Sequence, residues 1–350
     1  MSLKEFLTSV PKEEFRSVFK DALPYLVEEG YFQAIAGGSF EEFHKKIYAL
    51  GSYPRGIGLG IAIMAQTNVA GRILKFVSEG FVNERENNPL PSKKQAVEIG
   101  SQLLKEVASG KNIISMGVSE SGWKGRISNI RTSYKIENDR IVLDLSKSFL
   151  TNGANCNGFL VVAKSSFETF DVIYLDRETP GLEIEIFDLE YAKEATHCRL
   201  KGESVSLPLK NLIFMNYHGW APEIHLSEML SASALFCGYV ELILRTLLRE
   251  KKDSVDSKTV GNILDIQQLL YSKILELSRR KDTDPDFRID ENHPYGYETA
   301  LDLIYSWLTD LVSGVELTNL FPDIGLFYSI HPGKTPIYQK NILRKIRSLR

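Results

Sequence analysis

Apolar residues recur at helical spacing in the first third of the chain, in short strand-like runs through the middle, and at helical spacing again toward the end. Residues 3–7 and 13–26 each carry an apolar face, the second through Phe15, Val18, Phe19 and Leu23. A further helix opens at Ser39, a plausible N-cap, with Glu42 three residues on to complete a capping box. Residues 54–79 form a longer element through Ile57, Ile61, Met64, Val69, Ile73, Leu74 and Val77. Gly56, Gly58 and Gly60 at its start disfavour a free helix by roughly 1 kcal/mol each. They fit a segment whose backbone lies close against a neighbouring helix or a ligand. Residues 81–91 are polar and proline-bearing, hence a loop. Residues 92–109 are amphipathic, and Gly110 stops that helix.

Strands are expected at 113–118, 127–136, 140–145, 159–163, 170–175, 182–187, 204–209 and 212–215. Glu137-Asn-Asp139 marks a hairpin turn. Seven or eight short strands with frequent turns predict a small β-barrel or sandwich. Helices are expected at 225–250, 257–280, 297–315 and a basic 336–349, which together read as a four-helix bundle. Ser227, Ser231, Ser233, Ala232 and Ala234 give the first of these a smooth face for close packing. The fold class is therefore α+β multidomain: an all-α domain at 1–110, a β domain at 111–217 and a helical bundle at 218–350.

Composition narrows the function classes. The 350 residues are 43% hydrophobic and 25% charged, with a net charge of −3, which gives no electrostatic footprint for nucleic acid. Cys156, Cys198 and Cys237 show neither metal spacing nor a disulfide framework, and a cytoplasmic location is expected. The first residues lack a basic region followed by a long apolar run, so no secretory signal is expected. Residues 57–65, the most apolar stretch, are short and glycine-broken, and no membrane span is expected.

The chemistry concentrates between Ser119 and Gly153. Gly122 and Gly125 let backbone approach a ligand, and Ser119, Ser121, Ser128 and Thr151 supply hydroxyls. The string Ser119-Glu-Ser-Gly-Trp-Lys-Gly-Arg-Ile-Ser-Asn-Ile-Arg-Thr132 resembles the acyl-CoA dehydrogenase segment Thr-Glu-Pro-Gly-Ala-Gly-Ser-Asp-Leu-Ser-Ala-Ile-Arg-Thr. Glu120, Gly122, Ser128, Ile130, Arg131 and Thr132 are identical. Lys147-Ser-Phe-Leu-Thr-Asn-Gly153 is similar to the family's second motif, Lys-Thr-Trp/Phe-Ile-Thr-Asn-Gly, and Ala108-Ser-Gly110 also resembles the family. The resemblance implies the acyl-CoA dehydrogenase-like fold and an FAD cofactor, held by Val118, Ser119, Gly125, Phe149 and Thr151. Phe149 would cover the isoalloxazine ring, with the Thr151 hydroxyl near the flavin's reactive nitrogen.

Departures from the family pattern shape the expected chemistry. The family's Pro and Gly-Ser-Asp are Ser121 and Lys124-Gly125-Arg126, so the pyrophosphate-binding hydroxyl is missing at Gly125. Lys124 or Arg126 can replace it. The family's Arg-x-x-Phe-Gly is replaced by Leu248-Arg-Glu-Lys-Lys-Asp253, and Gln267 or Gln268 stands where the family has a bundle glutamine. Dehydrogenation of an acyl thioester needs a base at the α-carbon. The usual glutamate position near the C-terminus is Pro332, with His331 beside it as a titratable alternative. Other family members place the base on the first bundle helix, and Glu228 matches that position, with Met229 in place of the family's neighbouring arginine.

Three functions follow. The first is α,β-dehydrogenation of an acyl thioester, on CoA or a carrier protein, with hydride passing to FAD. The second is a flavin-dependent oxidase or monooxygenase of the same fold. The third is a degenerate, non-catalytic paralogue. The resemblance also implies fatty acid metabolism, a homodimer or homotetramer, and electron-transferring flavoprotein as acceptor.

Overall fold

The computed structural model describes residues 1–11, 13–81, 93–122, 126–166, 168–214, 216–250, 256–284, 287, 297–312 and 317–329. The first described elements are helical: α1 (Leu3–Ser9), α2 (Val18–Glu28), α3 (Phe40–Gly51), α4 (Gly56–Met64), a π-helical stretch Ala65–Gly71, α5 (Arg72–Ser78) and α6 (Lys93–Ala108). Strands β1 (Ile114–Gly117), β2 (Ser133–Glu137), β3 (Arg140–Thr151), β4 (Gly158–Ser165), β5 (Phe170–Asp176), β6 (Glu183–Phe187), β7 (His197–Pro208) and β8 (Leu212–Phe214) follow. The chain then returns to helix in α7 (Tyr217–Glu250), α8 (Ser257–Thr283), α9 (Tyr297–Val312), α10 (Leu317–Leu320) and α11 (Ile324–Ser329). Two compact units result. One is Met1–Gly38, Ile61–Leu189 and Lys193–His225; the other is Ser39–Gly60, Glu190–Ala192 and Leu226–Arg350.

In the first unit the strands form one mixed sheet, in the order β6-β7-β3-β2-β4-β5-β8, with β1 parallel to β4. One edge of β4 is shared: β1 pairs with it over 158–161 and β2 over 164–165. β2 and β3 meet through Asn138 and Asp139, both at positive φ, as a two-residue hairpin turn requires. The sheet's core is β4, where Phe159, Leu160, Val161, Val162 and Ala163 are all fully buried. The π-helical stretch carries buried Gln66, Thr67 and Asn68 in an otherwise apolar run. Gln66 accepts the Ile114 N–H at 3.1 Å and donates to the Asn112 carbonyl at 2.9 Å, so the widened turn anchors the start of β1.

In the second unit α3 meets α7 at backbone contact. A Cβ on Gly51 or Gly238 would collide with the carbonyls of Leu235 and Tyr48. Buried His44 bridges α7 and α8, with Nε2 2.8 Å from Ser231 Oγ and Nδ1 2.7 Å from Ser278 Oγ. Gly60 likewise lies against the Leu235 side chain, so Gly56 and Gly60 serve close packing.

Several elements differ from the sequence reading. The 54–79 element is two α-helices around the π-helical stretch. The helix expected over 13–26 begins only at Val18. No strand forms over 127–132, because the Glu120 carboxylate takes the N–H groups of Arg131 and Thr132 that a ladder would use. β7 begins earlier than expected and α7 starts at Tyr217. The capping box at Ser39 is half formed: Ser39 Oγ accepts the Glu42 N–H at 3.1 Å, but Asp282 takes the N–H groups of Phe40 and Glu41, and Glu42 pairs with Lys45. The basic helix expected over 336–349 lies outside the described residues. Two helical runs, Gly56–Ser78 and Tyr217–Glu250, are long and apolar enough to cross a bilayer, but 89% and 78% of those windows are buried inside the protein, as core helices are.

Candidate functional site

The adjoining ends of β1 and β3 bring four of the expected cofactor residues together. Beyond Gly117 the chain leaves β1 through half-buried Val118 and Ser119. Glu120 then turns inward. Its Oε2 accepts the Arg131 N–H at 2.7 Å and its Oε1 the Thr132 N–H at 3.0 Å, and Lys147 Nζ lies 2.7 Å from Oε1. The two side chains are 4% and 0% exposed. Lys147 also donates to the Val118 carbonyl at 3.2 Å. Burial pushes the Lys147 amine down to about 8. Burial would raise the Glu120 carboxyl, but Lys147 and the two backbone donors outweigh it and hold the group below its ordinary value. The identical residues Glu120, Arg131 and Thr132 thus form a clasp that ties the loop after β1 to β3, with Arg131 and Thr132 taking part through their backbone N–H groups. Trp123-Lys124-Gly125 lies outside the described residues, and with it the candidates Gly125 and Lys124.

β3 carries a bulge at the second motif. Lys147 faces Leu200 and Leu150 faces Cys198, so Ser148 and Phe149 together oppose Arg199 alone. Phe149 takes φ +61°, and its ring is 58% exposed. A left-handed conformation costs an aromatic residue roughly 1–2 kcal/mol, and the exposed ring recovers little of that by burial. The Ser148 N–H donates to the Ser119 carbonyl at 3.0 Å, which sets Ser119 beside the bulge. Thr151, two residues past Phe149, has its carbonyl held by Ser115 Oγ at 2.6 Å and its Oγ1 3.5 Å from His197 Nε2. Asn152 is fully buried. Its Nδ2 donates to the Ala62 carbonyl, while its Oδ1 and the Ser148 hydroxyl have no hydrogen-bond partner among the described residues. Phe187 meets Phe149 edge-on at 5.6 Å and 88°.

The sequence-derived candidates therefore divide. Val118, Ser119, Phe149 and Thr151 converge on one end of the sheet. Glu228 belongs to the other compact unit, on α7. Burial alone pushes its carboxyl up to about 7, and among the described residues no hydrogen bond or ion pair engages it. Its side chain keeps partial access to solvent. His331 and Pro332 lie outside the described residues. Gln267, a candidate bundle glutamine, is buried and donates to the Cys237 carbonyl at 2.6 Å and to the Tyr48 hydroxyl at 3.2 Å, so it serves the unit's interior. The Ser/Ala face of α7 packs within the chain, through Ser231 on His44. His197 and Phe187 escaped the sequence reading. The alternation Cys198-Arg-Leu-Lys201, inward and outward in turn, signals the early start of β7 that places His197.

No family model matches the chain. Its structure is similar to that of the FAD complex of PigA, with a TM-score of 0.71 at 18% identity, covering 98% of this chain and 93% of that one. It is similar to butyryl-CoA dehydrogenase from Megasphaera elsdenii at 0.73 and 15%, covering 99% and 96%. It is also similar to the prolyl acyl carrier protein oxidase AnaB at 0.71 and 16%, covering 98% and 96%. The chain has the acyl-CoA dehydrogenase fold.

Proposed function

We propose that this chain is a flavoprotein oxidoreductase that binds FAD against the bulge of β3 and dehydrogenates an acyl thioester carried by CoA or by a carrier protein. The observation that carries this reading is Phe149: an exposed ring, held at φ +61° by a β-bulge, two residues from a threonine hydroxyl on the same strand. Strain of this kind persists where the surroundings over-determine it, and it clusters at ligand sites. A flat heteroaromatic ring suits the position, since it would bury the Phe149 face and meet the hydroxyl of Thr151. Ser119, fixed beside the bulge, supplies a second hydroxyl and a backbone donor. These residues fit the isoalloxazine end of FAD. Solved structures of the same fold include an FAD complex, a butyryl-CoA dehydrogenase and a prolyl carrier-protein oxidase, which supports the same reading.

When bound, FAD supplies the hydride acceptor. The chain's own contribution is to orient the ring with Phe149 and Thr151, to fix Ser119 through the Glu120–Lys147 clasp, and to remove the substrate's α-proton. Glu228 is the proposed base: a carboxyl raised to about 7 is a stronger base than an ordinary one and is still ionised at neutral pH in useful amount. The FAD-loaded protein, mixed with acyl thioesters in the absence of oxygen, should lose its flavin absorbance. Glu228→Gln should keep FAD and lose that bleaching at least a hundredfold, and the wild-type rate should rise with pH through about 7 as the base ionises. Equal bleaching by the glutamine variant would remove Glu228. A protein that binds FAD but is bleached by no thioester would point to an oxidase or monooxygenase. Adding oxygen or electron-transferring flavoprotein to the bleached protein, and following return of the flavin band, separates the two re-oxidants.

A further inference from the structure

His197 is placed with unusual care for a residue that begins a strand. The turn before it is locked from the motif side: the Asn152 N–H is shared between the carbonyls of Ala195 and Thr196, and Thr196 itself takes a positive φ. Across the ladder His197 faces Thr151 as its register partner. Its ring is 7% exposed and lies on Phe187 at 6.0 Å and 34°, and Phe187 in turn meets Phe149. Phe149, Phe187, His197 and Thr151 thus form a continuous chain of contacts around one end of the sheet. Nε2 points to Thr151 Oγ1 at 3.5 Å. The main chain of Thr151 is already fixed by Ser115, so the free variable at this residue is the direction of its hydroxyl proton.

We propose that His197 is a positioning residue that sets the direction of the Thr151 hydroxyl hydrogen bond toward a redox-active heteroaromatic ligand. This rests on the FAD reading above. Burial holds the imidazole well below its ordinary range, at about 4, so it is neutral through the physiological range. A neutral imidazole donates from one nitrogen and accepts at the other, and a hydroxyl donates once and accepts twice. With the proton on Nε2, His197 donates to Thr151 and leaves the hydroxyl proton for a ligand acceptor. With the proton on Nδ1, Nε2 takes the hydroxyl proton and leaves a lone pair for a ligand N–H. A ring nitrogen that accepts when oxidised and carries hydrogen when reduced is therefore matched in both states. In both states the Thr151 hydroxyl and His197 Nε2 keep a partner, and a stranded polar atom there would weaken binding of that state.

The test uses the full-length protein with added FAD and reads affinity for oxidised and reduced cofactor, the flavin absorption band, and melting of the cofactor-free protein. His197→Phe should change the ratio of the two affinities about tenfold, equal to about 30 mV for a two-electron couple, and shift the band. His197→Gln, which can donate and accept, should restore both. In a Thr151→Val background the His197→Phe change should vanish. If phenylalanine prevents folding, His197→Met reads the same contrast. Wild-type protein that takes up FAD, with a ratio and band left within twofold by the apolar variants, would overturn the role of His197 while leaving FAD binding intact. An effect that persists without the Thr151 hydroxyl would overturn it equally. Wild-type protein that takes up no FAD would fail at the first titration, and both readings would fall together.

Discussion

Two buried polar seams, one in each compact unit, are built in opposite ways. At the ends of β1 and β3 the seam is charged: Glu120 and Lys147 are both buried, and the chain beside them is strained at Phe149. Where α3 crosses α7 and α8 the seam is neutral, a single histidine between two serines, and the backbones approach at Gly51 and Gly238. Folding explains the second completely, because every feature of it shortens a helix–helix distance or satisfies a buried donor. It does not explain the first. An exposed aromatic ring in a left-handed conformation gains little beyond its edge-on contact with Phe187 in return for the strain, and a charged clasp holds its surroundings in place. The difference supports the proposal that the β1/β3 end is shaped for a ligand.

The comparison breaks most visibly when one charge is removed. Lys147→Ala leaves the Glu120 carboxylate buried without its cation, and should cost about 3–5 kcal/mol in denaturant unfolding of the cofactor-free protein. If it costs less than about 1 kcal/mol, the clasp is not what fixes the loop. The neutral seam responds to pH instead. Burial holds His44 at about 4, against an ordinary value near 6.5. Between those values the unfolded chain takes up a proton that the folded chain refuses. Against the opposite slope that the raised Glu228 carboxyl gives, the His44 contribution to stability therefore falls as pH drops through that window, by on the order of 3 kcal/mol, and levels off below it. His197 adds a slope of the same sign. His44→Gln should reduce the slope measured by thermal melting between pH 6.5 and 4, and an unchanged slope would show that His44 is not the group responsible. The smallest effect is the most telling. Phe149→Gly relieves the left-handed strain and should stabilise the cofactor-free protein by about 1 kcal/mol, while weakening FAD binding at least tenfold. A glycine variant that is less stable and binds as before would make Phe149 a structural residue.

Much of this was legible in the sequence, and the failures have physical causes. The hairpin at Asn138 and Asp139 could be read because two adjacent residues that tolerate positive φ carry that geometry themselves. The second motif located Phe149 and Thr151, and the strand they lie on was longer than its alternation indicated because the bulge interrupts the period at Ser148. Glu120 stood out by resemblance, but its partners could not be seen: the two N–H groups lie eleven and twelve residues on, and Lys147 twenty-seven. The π-helical widening at 65–71 depends on Gln66 bonding a strand end nearly fifty residues away, which no local pattern encodes. His197 reads alone as an ordinary strand-end histidine, and only the register of β3 with β7 gives it Thr151.

The central claim is that the β3 bulge is a flavin platform, and the most direct measurement is a titration of the full-length chain with FAD, followed by visible absorption, for wild type and Phe149→Gly. Near-stoichiometric uptake with a perturbed flavin band in the wild type, and loss of tight uptake in the variant, is the predicted result. A wild-type protein that stays colourless and takes up no added FAD would contradict it, leaving a strained, exposed phenylalanine to serve some other ligand.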